Sequence, residues 1–312
     1  MKRFLLLFML VPLFVLPASA DYIRWVNFSV PYESMKYALD QDIATSEQEK
    51  HIDWIEILAL AAYRTGGKCD LVSVRQAAAD LKKEKSAQEL VEKNPKYYAY
   101  YYEAYSAVLG GLVGSFAIEK DGKWHSTYGL KAFSPIAEAH AYSHCDDFGA
   151  ARSFGFKRKH LGNDLMGSLG TPIVAVEGGI VEAMGWNRYG GWRIGIRSFD
   201  RKRYYYYAHL QKDTPYAPGL KEGDTVQPGQ LLGFMGRTGY SDTENVNNIE
   251  TVHLHFGLQL IFDESQKECD NEIWVDVYDI VKLLDSHRAS YQKGTSGWER
   301  IYPFRDLDEA DQ

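Results

Sequence analysis

Two textures divide the chain. From Asp21 to about Gly114 apolar positions recur at helical spacing, and Ser46-x-x-Glu49 and Ser86-x-x-Glu89 read as capping boxes ahead of apolar periodic runs. Gly66-Gly67 and Gly110-Gly111 read as helix stops. Between Pro95 and Leu109 the tyrosines Tyr97, Tyr98, Tyr100, Tyr101, Tyr102 and Tyr105 crowd one predicted helix. So wide an aromatic surface either packs inside the protein or stacks on sugar rings, and packing is the expectation.

After about Phe133 the pattern shortens to β-type runs broken by glycine: Pro172 to Val176, Gly179 to Ala183, Trp192 to Arg197, Tyr204 to His209, Gln230 to Met235 and Val252 to Ile261. Six short strands with tight turns predict an antiparallel β domain. Pro218 to Pro228 reads as an inter-strand loop, and Gly236 to Glu250 as a polar loop long enough to be functional. Beyond Ser286 periodicity fades, and Asp306, Asp308, Glu309 and Asp311 predict a solvated extension. The expected fold class is therefore α+β, with a helical accessory domain over 21–132, a compact antiparallel β domain over 133–285 and a C-terminal extension over 286–312.

The first twenty residues change the picture. Lys2 and Arg3, an apolar run from Phe4 to Leu16 and the triplet Ala18-Ser19-Ala20 have the layout of a secretory signal peptide cleaved before Asp21. The run falls short of the roughly 20 apolar residues of a spanning helix and carries Pro12 and Pro17. The protein is expected outside the cytoplasm, with membrane contact only if this segment stays uncleaved. Its removal takes the formal charge from -7 to -9, which argues against a nucleic-acid partner. Cys69, Cys145 and Cys269 are too few for a disulfide-built scaffold; one bridge, Cys145 to Cys269, is allowed.

Candidate chemistry sits in the β-rich half. Val252-His253-Leu254-His255-Phe256-Gly257-Leu258-Gln259-Leu260 alternates strictly, so His253 and His255 project together from the face opposite the apolar positions. His160-Leu161-Gly162-Asn163-Asp164 adds an imidazole and a carboxylate four positions apart, both suitable zinc ligands. Tyr207-Ala208-His209 ends the fourth run, and alternation puts His209 on the face of Tyr207 and Tyr205. None of these elements is specific alone. Together they offer more imidazoles than zinc needs, and three protein ligands with an open position is the catalytic zinc pattern.

His160-x-x-x-Asp164, Tyr207-Ala208-His209 and His253-x-His255, in that order, resemble the lysostaphin and LytM type of peptidoglycan endopeptidase, the M23 metallopeptidase family. Flanking residues agree from Asp146 to Ile261: Asp147-Phe148-Gly149 and Arg152, Gly170-Thr171-Pro172, Gly178-Gly179-Ile180-Val181, Val226-x-x-Gly229-Gln230 and Gly236-x-x-Gly239. The resemblance implies that His160, Asp164 and His255 ligate Zn2+ and that His209 and His253 are the catalytic histidines. It also implies hydrolysis of peptide bonds in peptidoglycan stem or cross-bridge peptides at the bacterial cell wall. No glutamate sits beside the first ligand, so the general base is His209 or His253, and Tyr207 either adds a donor or packs. Two departures stand out: Leu161 replaces an acidic residue common among relatives, and the loop from Tyr240 to Thr251 is longer than usual. The alternative is a catalytically silent wall-binding or regulatory module on the same fold.

Overall fold

A computed structural model describes residues 28–308 apart from 84–85, 92, 268–271 and 296. The segment read as a signal peptide lies outside the described residues, as do Cys269, Glu309 and Asp311. Five helices come first: α1 (Tyr32–Thr45), α2 (Trp54–Thr65), α3 (Leu71–Lys83), the single turn α4 (Ala87–Leu90) and α5 (Pro95–Leu109). Asp53 caps α2 by accepting from the N–H groups of Ile55 and Glu56, and Gly66 closes it at φ +68°. Ser46 is not a helix start. It ends α1, whose first turn is anchored on the Pro31 carbonyl, because Asp53 takes the capping role for the next helix. Ser86 does precede α4 but makes no side-chain cap bond, so the second box is not formed either.

The tyrosines of α5 pack. Tyr98, Tyr101 and Tyr105 are buried, and their rings meet Tyr63, Tyr97 and Phe28 edge-on or tilted at 5.1–6.4 Å. The buried Cys69 thiol lies 3.5 Å from the Tyr105 hydroxyl, and desolvation pushes its pKa up to about 11. Cys145 is also a free thiol rather than half of the bridge that the sequence allows.

The segment 21–132 is not helical to its end. Strands β1 (Val113–Lys120) and β2 (Lys123–Leu130) form a hairpin turned by Asp121 and Gly122, at φ +52° and +70°. Then follow β3 (Ser143–His144), β4 (Ala151–Phe154), β5 (Phe156–Lys159), β6 (Asn163–Met166), β7 (Pro172–Val174), β8 (Gly179–Asn187), β9 (Gly191–Ser198) and β10 (Arg203–Ala208). Strands β11 (Thr225–Val226), β12 (Leu231–Phe234), β13 (His253–Leu260) and β14 (Ile273–Val275) precede α6 (Tyr278–Leu284), and β15 (Tyr291–Lys293), β16 (Trp298–Arg300) and β17 (Phe304–Asp306) end the chain. Eight of these build one antiparallel sheet in the order β11-β8-β9-β10-β13-β6-β3, with β14 also on β13.

As far as Asp308 the tail is not a solvated extension. Strand β17 pairs with β1, Phe304 stacks on Phe116 at 5.3 Å, and Asp306 and Asp308 close on the Lys131 ammonium at 2.9 and 3.0 Å. Asp306 and Asp308, two of the four acidic residues that suggested solvation, are thus counter-ions of a buried lysine.

Helices and main sheet share one hydrophobic cluster reaching from Phe28 to Leu284. Arg203, 2% exposed, ties the two layers: it donates to Glu177 at 2.7 and 3.0 Å and to the Ala107 carbonyl of α5 at 3.0 Å. Tyr205 also donates to Glu177, at 2.6 Å. Burial opposes the Arg203 charge, but Glu177 beside it holds the guanidinium protonated.

Candidate metal centre

The register of β6, β13 and β10 assembles the site. Asp164 pairs with His255, and His255 with Ala208, so these residues point to one face of the sheet. Leu254, Phe256, Leu258 and Leu260 fill the opposite face and are buried. His160 stands just before β6. Gly162 lets this turn approach β13, since a Cβ there would lie 2.6 Å from the Phe256 carbonyl oxygen and 2.8 Å from His255 Cε1.

His160, Asp164 and His255 converge: His160 Nε2 is 2.7 Å from His255 Nδ1 and 3.1 Å from Asp164 Oδ1, and His255 Nδ1 is 3.3 Å from that same oxygen. Among the described residues this is the group of histidine, cysteine and carboxylate side chains able to hold an ion. Tetrahedral zinc with bonds of about 2.0–2.1 Å separates its ligands by roughly 3.3 Å, and two imidazoles with one carboxylate suit it. The donor set fits a small divalent cation and leaves a coordination position open.

The surroundings fix tautomers. His160 Nδ1 donates to the Asp147 carbonyl at 3.1 Å, which leaves Nε2 bare toward the centre. Arg152 donates to the Asp147 carboxylate and, at 3.1 Å, to Asp164 Oδ2, so Oδ1 is the oxygen that faces the imidazoles. Burial alone would raise the Asp164 pKa, but the His160 and His255 imidazoles in contact with Oδ1 outweigh it and hold the carboxyl well below the usual range. Burial, opposed by the neighbouring Asp164 carboxylate, lowers the His255 pKa.

His209 and His253 flank these three, with ring centroids 4.7 Å apart. His209 Nδ1 donates to the Thr238 carbonyl and His253 Nδ1 to the Thr251 carbonyl, each at 2.9 Å. A ring anchored this way, when neutral, turns an unprotonated Nε2 away from its backbone anchor, and that of His253 lies 3.7 Å from Asp164 Oδ1. Burial, then the neighbouring His253 and His255, push the His209 pKa well below the usual histidine value.

Tyr207 is not at the site. Strand β10 stops at Ala208, and His209 adopts φ +63°, a left-handed conformation that breaks the alternation. His209 thereby joins the face of Tyr206, whose ring lies 5.8 Å from His255. Tyr207 stays on the core face, fully buried, its hydroxyl accepting from the Val176 N–H at 2.9 Å. The site opens into a groove of about 850 Å³ whose walls include Tyr206, Tyr189, Tyr240 and Arg158. Sequence reasoning gave no role to Asp147, Arg152 or Tyr206. Asp147 and Arg152 stood among the flanking matches, and Tyr206 could have been found from its pairing with Gly257, two positions from His255.

Two imidazoles and a carboxylate at an open groove, flanked by two further imidazoles on an antiparallel sheet, make a candidate metal centre. Residues 158–268 match the sequence profile of Peptidase family M23, and the chain carries a domain of that family. It is 38% identical over 148 residues to the L-Ala--D-Glu endopeptidase of Bacillus subtilis, which covers 47% of this chain and 44% of that one. Lysostaphin of Staphylococcus simulans is 37% identical over 98 residues, 31% of this chain and 17% of its own length. The aligned segments thus span less than half of these curated relatives. A solved Ruminococcus gnavus structure, provisionally described as a glycyl-glycine endopeptidase lytM, superposes with a TM-score of 0.58 at 25% identity over 86% of this chain and 92% of that one. The fold is α+β, with N-terminal helices on an antiparallel catalytic-type domain of the LytM and lysostaphin kind.

Proposed function

We propose that the protein is a zinc-dependent endopeptidase that hydrolyses peptide bonds in peptidoglycan stem or cross-bridge peptides outside the cytoplasm. The observation that carries this reading is the convergence of His160, Asp164 and His255 within 3.3 Å of one another beside His209 and His253 in an open groove. A zinc ion held by the three would supply Lewis acidity and a hydrolytic nucleophile at neutral pH. His209 and His253, anchored through Nδ1, present Nε2 to take a proton from that nucleophile or, once protonated, to donate to the developing oxyanion. Arg152 and Asp147 orient Asp164 and His160. Tyr206, whose hydroxyl accepts from Asn187 Nδ2 at 3.0 Å, forms part of the groove wall.

Release of new amino groups from purified wall sacculi tests the reading. It is expected with the zinc-loaded protein, to be abolished by a chelator and to return with added zinc. Zinc-loaded protein that leaves sacculi intact overturns it and favours a silent wall-binding module.

A further inference from the structure

The charge of the groove opposes the charge of the chain. The full sequence carries a formal charge of -7, yet among the described residues six cationic side chains and two carboxylates line the groove. Both carboxylates are engaged: Asp164 by the imidazoles and Arg152, and Glu272 by the Trp274 indole N–H at 2.8 Å. Of the cations, Arg152, Arg188 and Lys267 have carboxylate partners. Arg158, Lys159 and Arg193 have none among the described residues. Unmatched cations in a concave, low-dielectric wall raise the local potential and draw anionic groups.

Arg158 is also held in place. Its guanidinium lies 4.8 Å from the Tyr189 ring centroid and 5.1 Å from that of Tyr240, and Nη2 donates to the Tyr240 hydroxyl at 2.9 Å. Tyr240 stacks on Phe154 at 5.2 Å and meets His209 edge-on at 6.0 Å. The brace therefore runs from the arginine to a histidine of the candidate site, and Arg158 Nη1 is left buried without a hydrogen-bond partner. A guanidinium braced this way on the groove wall, with no carboxylate partner among the described residues, suits carboxylate recognition. A glycine bridge, with no side-chain charge, gains nothing from such a wall.

We infer that this groove selects peptides carrying free carboxylates near the scissile bond, with Arg158, Arg193 and Lys159 as their counter-charges. The inference rests on the endopeptidase reading and narrows its substrate to acidic stem peptides. The test compares soluble muropeptides bearing free stem carboxylates with the same muropeptides as carboxamides, products being resolved by mass spectrometry. At least ~10-fold higher kcat/KM is expected on the free acids, shrinking as ionic strength rises from about 0.05 to 0.5 M. Arg158→Gln with Arg193→Gln is expected to reduce the preference below about 3-fold, mainly through KM on the acidic form, at unchanged zinc content. Lys159→Gln, on an exposed side chain, gives a smaller change in the same direction. Equal rates on both forms, or a double variant that keeps the full preference, overturn the inference and leave the endopeptidase reading standing if sacculi are cleaved. If neither the muropeptides nor sacculi are cleaved, both fall.

Discussion

The main sheet carries a polar cluster on each of its faces, and the two are built on opposite rules. On the core face Arg203 and Tyr205 meet Glu177, Asp200 and the Ala107 carbonyl, with donors matched to acceptors at 2.6–3.0 Å. On the groove face four imidazoles surround one carboxylate, and acceptor atoms are pressed together at 2.7–3.3 Å. A matched cluster holds layers together and is complete as it stands. A cluster of converging lone pairs is complete only with a cation among them. Burial is common to both faces, so what separates structure from chemistry is the balance of donors and acceptors.

That contrast breaks most sharply at His255. His255→Ala is expected to remove both zinc and turnover, by at least ~10⁴-fold (about 5 kcal/mol in the barrier), while leaving the thermal midpoint of the metal-free protein within a few degrees of the unsubstituted chain. Elemental analysis beside an amine-release assay reads the first part and calorimetry the second. Arg203→Met inverts the outcome. It strands the Glu177 carboxylate in the core, and a stability loss of about 3–5 kcal/mol in denaturant unfolding is expected, with one zinc still bound per folded molecule. An Arg203→Met protein of unchanged stability would mean that the core-face cluster holds nothing together.

His253→Ala and His209→Ala sharpen the division within the groove face. Each is expected to keep zinc and to lose about 10²–10⁴-fold in kcat, the range for general acid–base groups. Zinc loss in His253→Ala would move that residue into the ligand set.

The smallest expected effect is on pH dependence. His144, its ring 4.5 Å from Tyr278 and both nitrogens buried without partners, has its pKa pushed by desolvation from 6.5 down to about 4. Its folded-state value is depressed, so the unfolded chain takes up the proton first. The neutral ring's contribution is full above about pH 6.5 and declines as pH falls toward 4. In a series of unfolding midpoints, His144→Phe should flatten that part of the profile.

Much of the β half was legible because period-two apolar runs ended by glycine have few other readings: the six sequence runs overlap β7, β8, β9, β10, β12 and β13. Strand β2 was not, since the first five of its eight positions are exposed and show no apolar alternation. Strand β17 has three residues, too short for any period, and its burial is earned by Phe116 and Lys131 far away in sequence. In the site, the convergence of Asp164 with His255 depends on β6–β13 register, which only the family likeness hinted at. The separation of His209 from Tyr207 follows from one left-handed residue, which a rule of strict alternation cannot see. The Glu177–Arg203 pair spans 26 positions between elements that are not neighbours in the sheet, and no local pattern announces it.

Zinc K-edge absorption spectroscopy of the purified protein tests the central claim most directly. The account predicts one zinc per chain with a first shell of nitrogen and oxygen alone at about 2.0–2.1 Å, two of its scatterers imidazoles, and no sulfur. A sulfur shell near 2.3 Å, or a first shell with no imidazole, would contradict it.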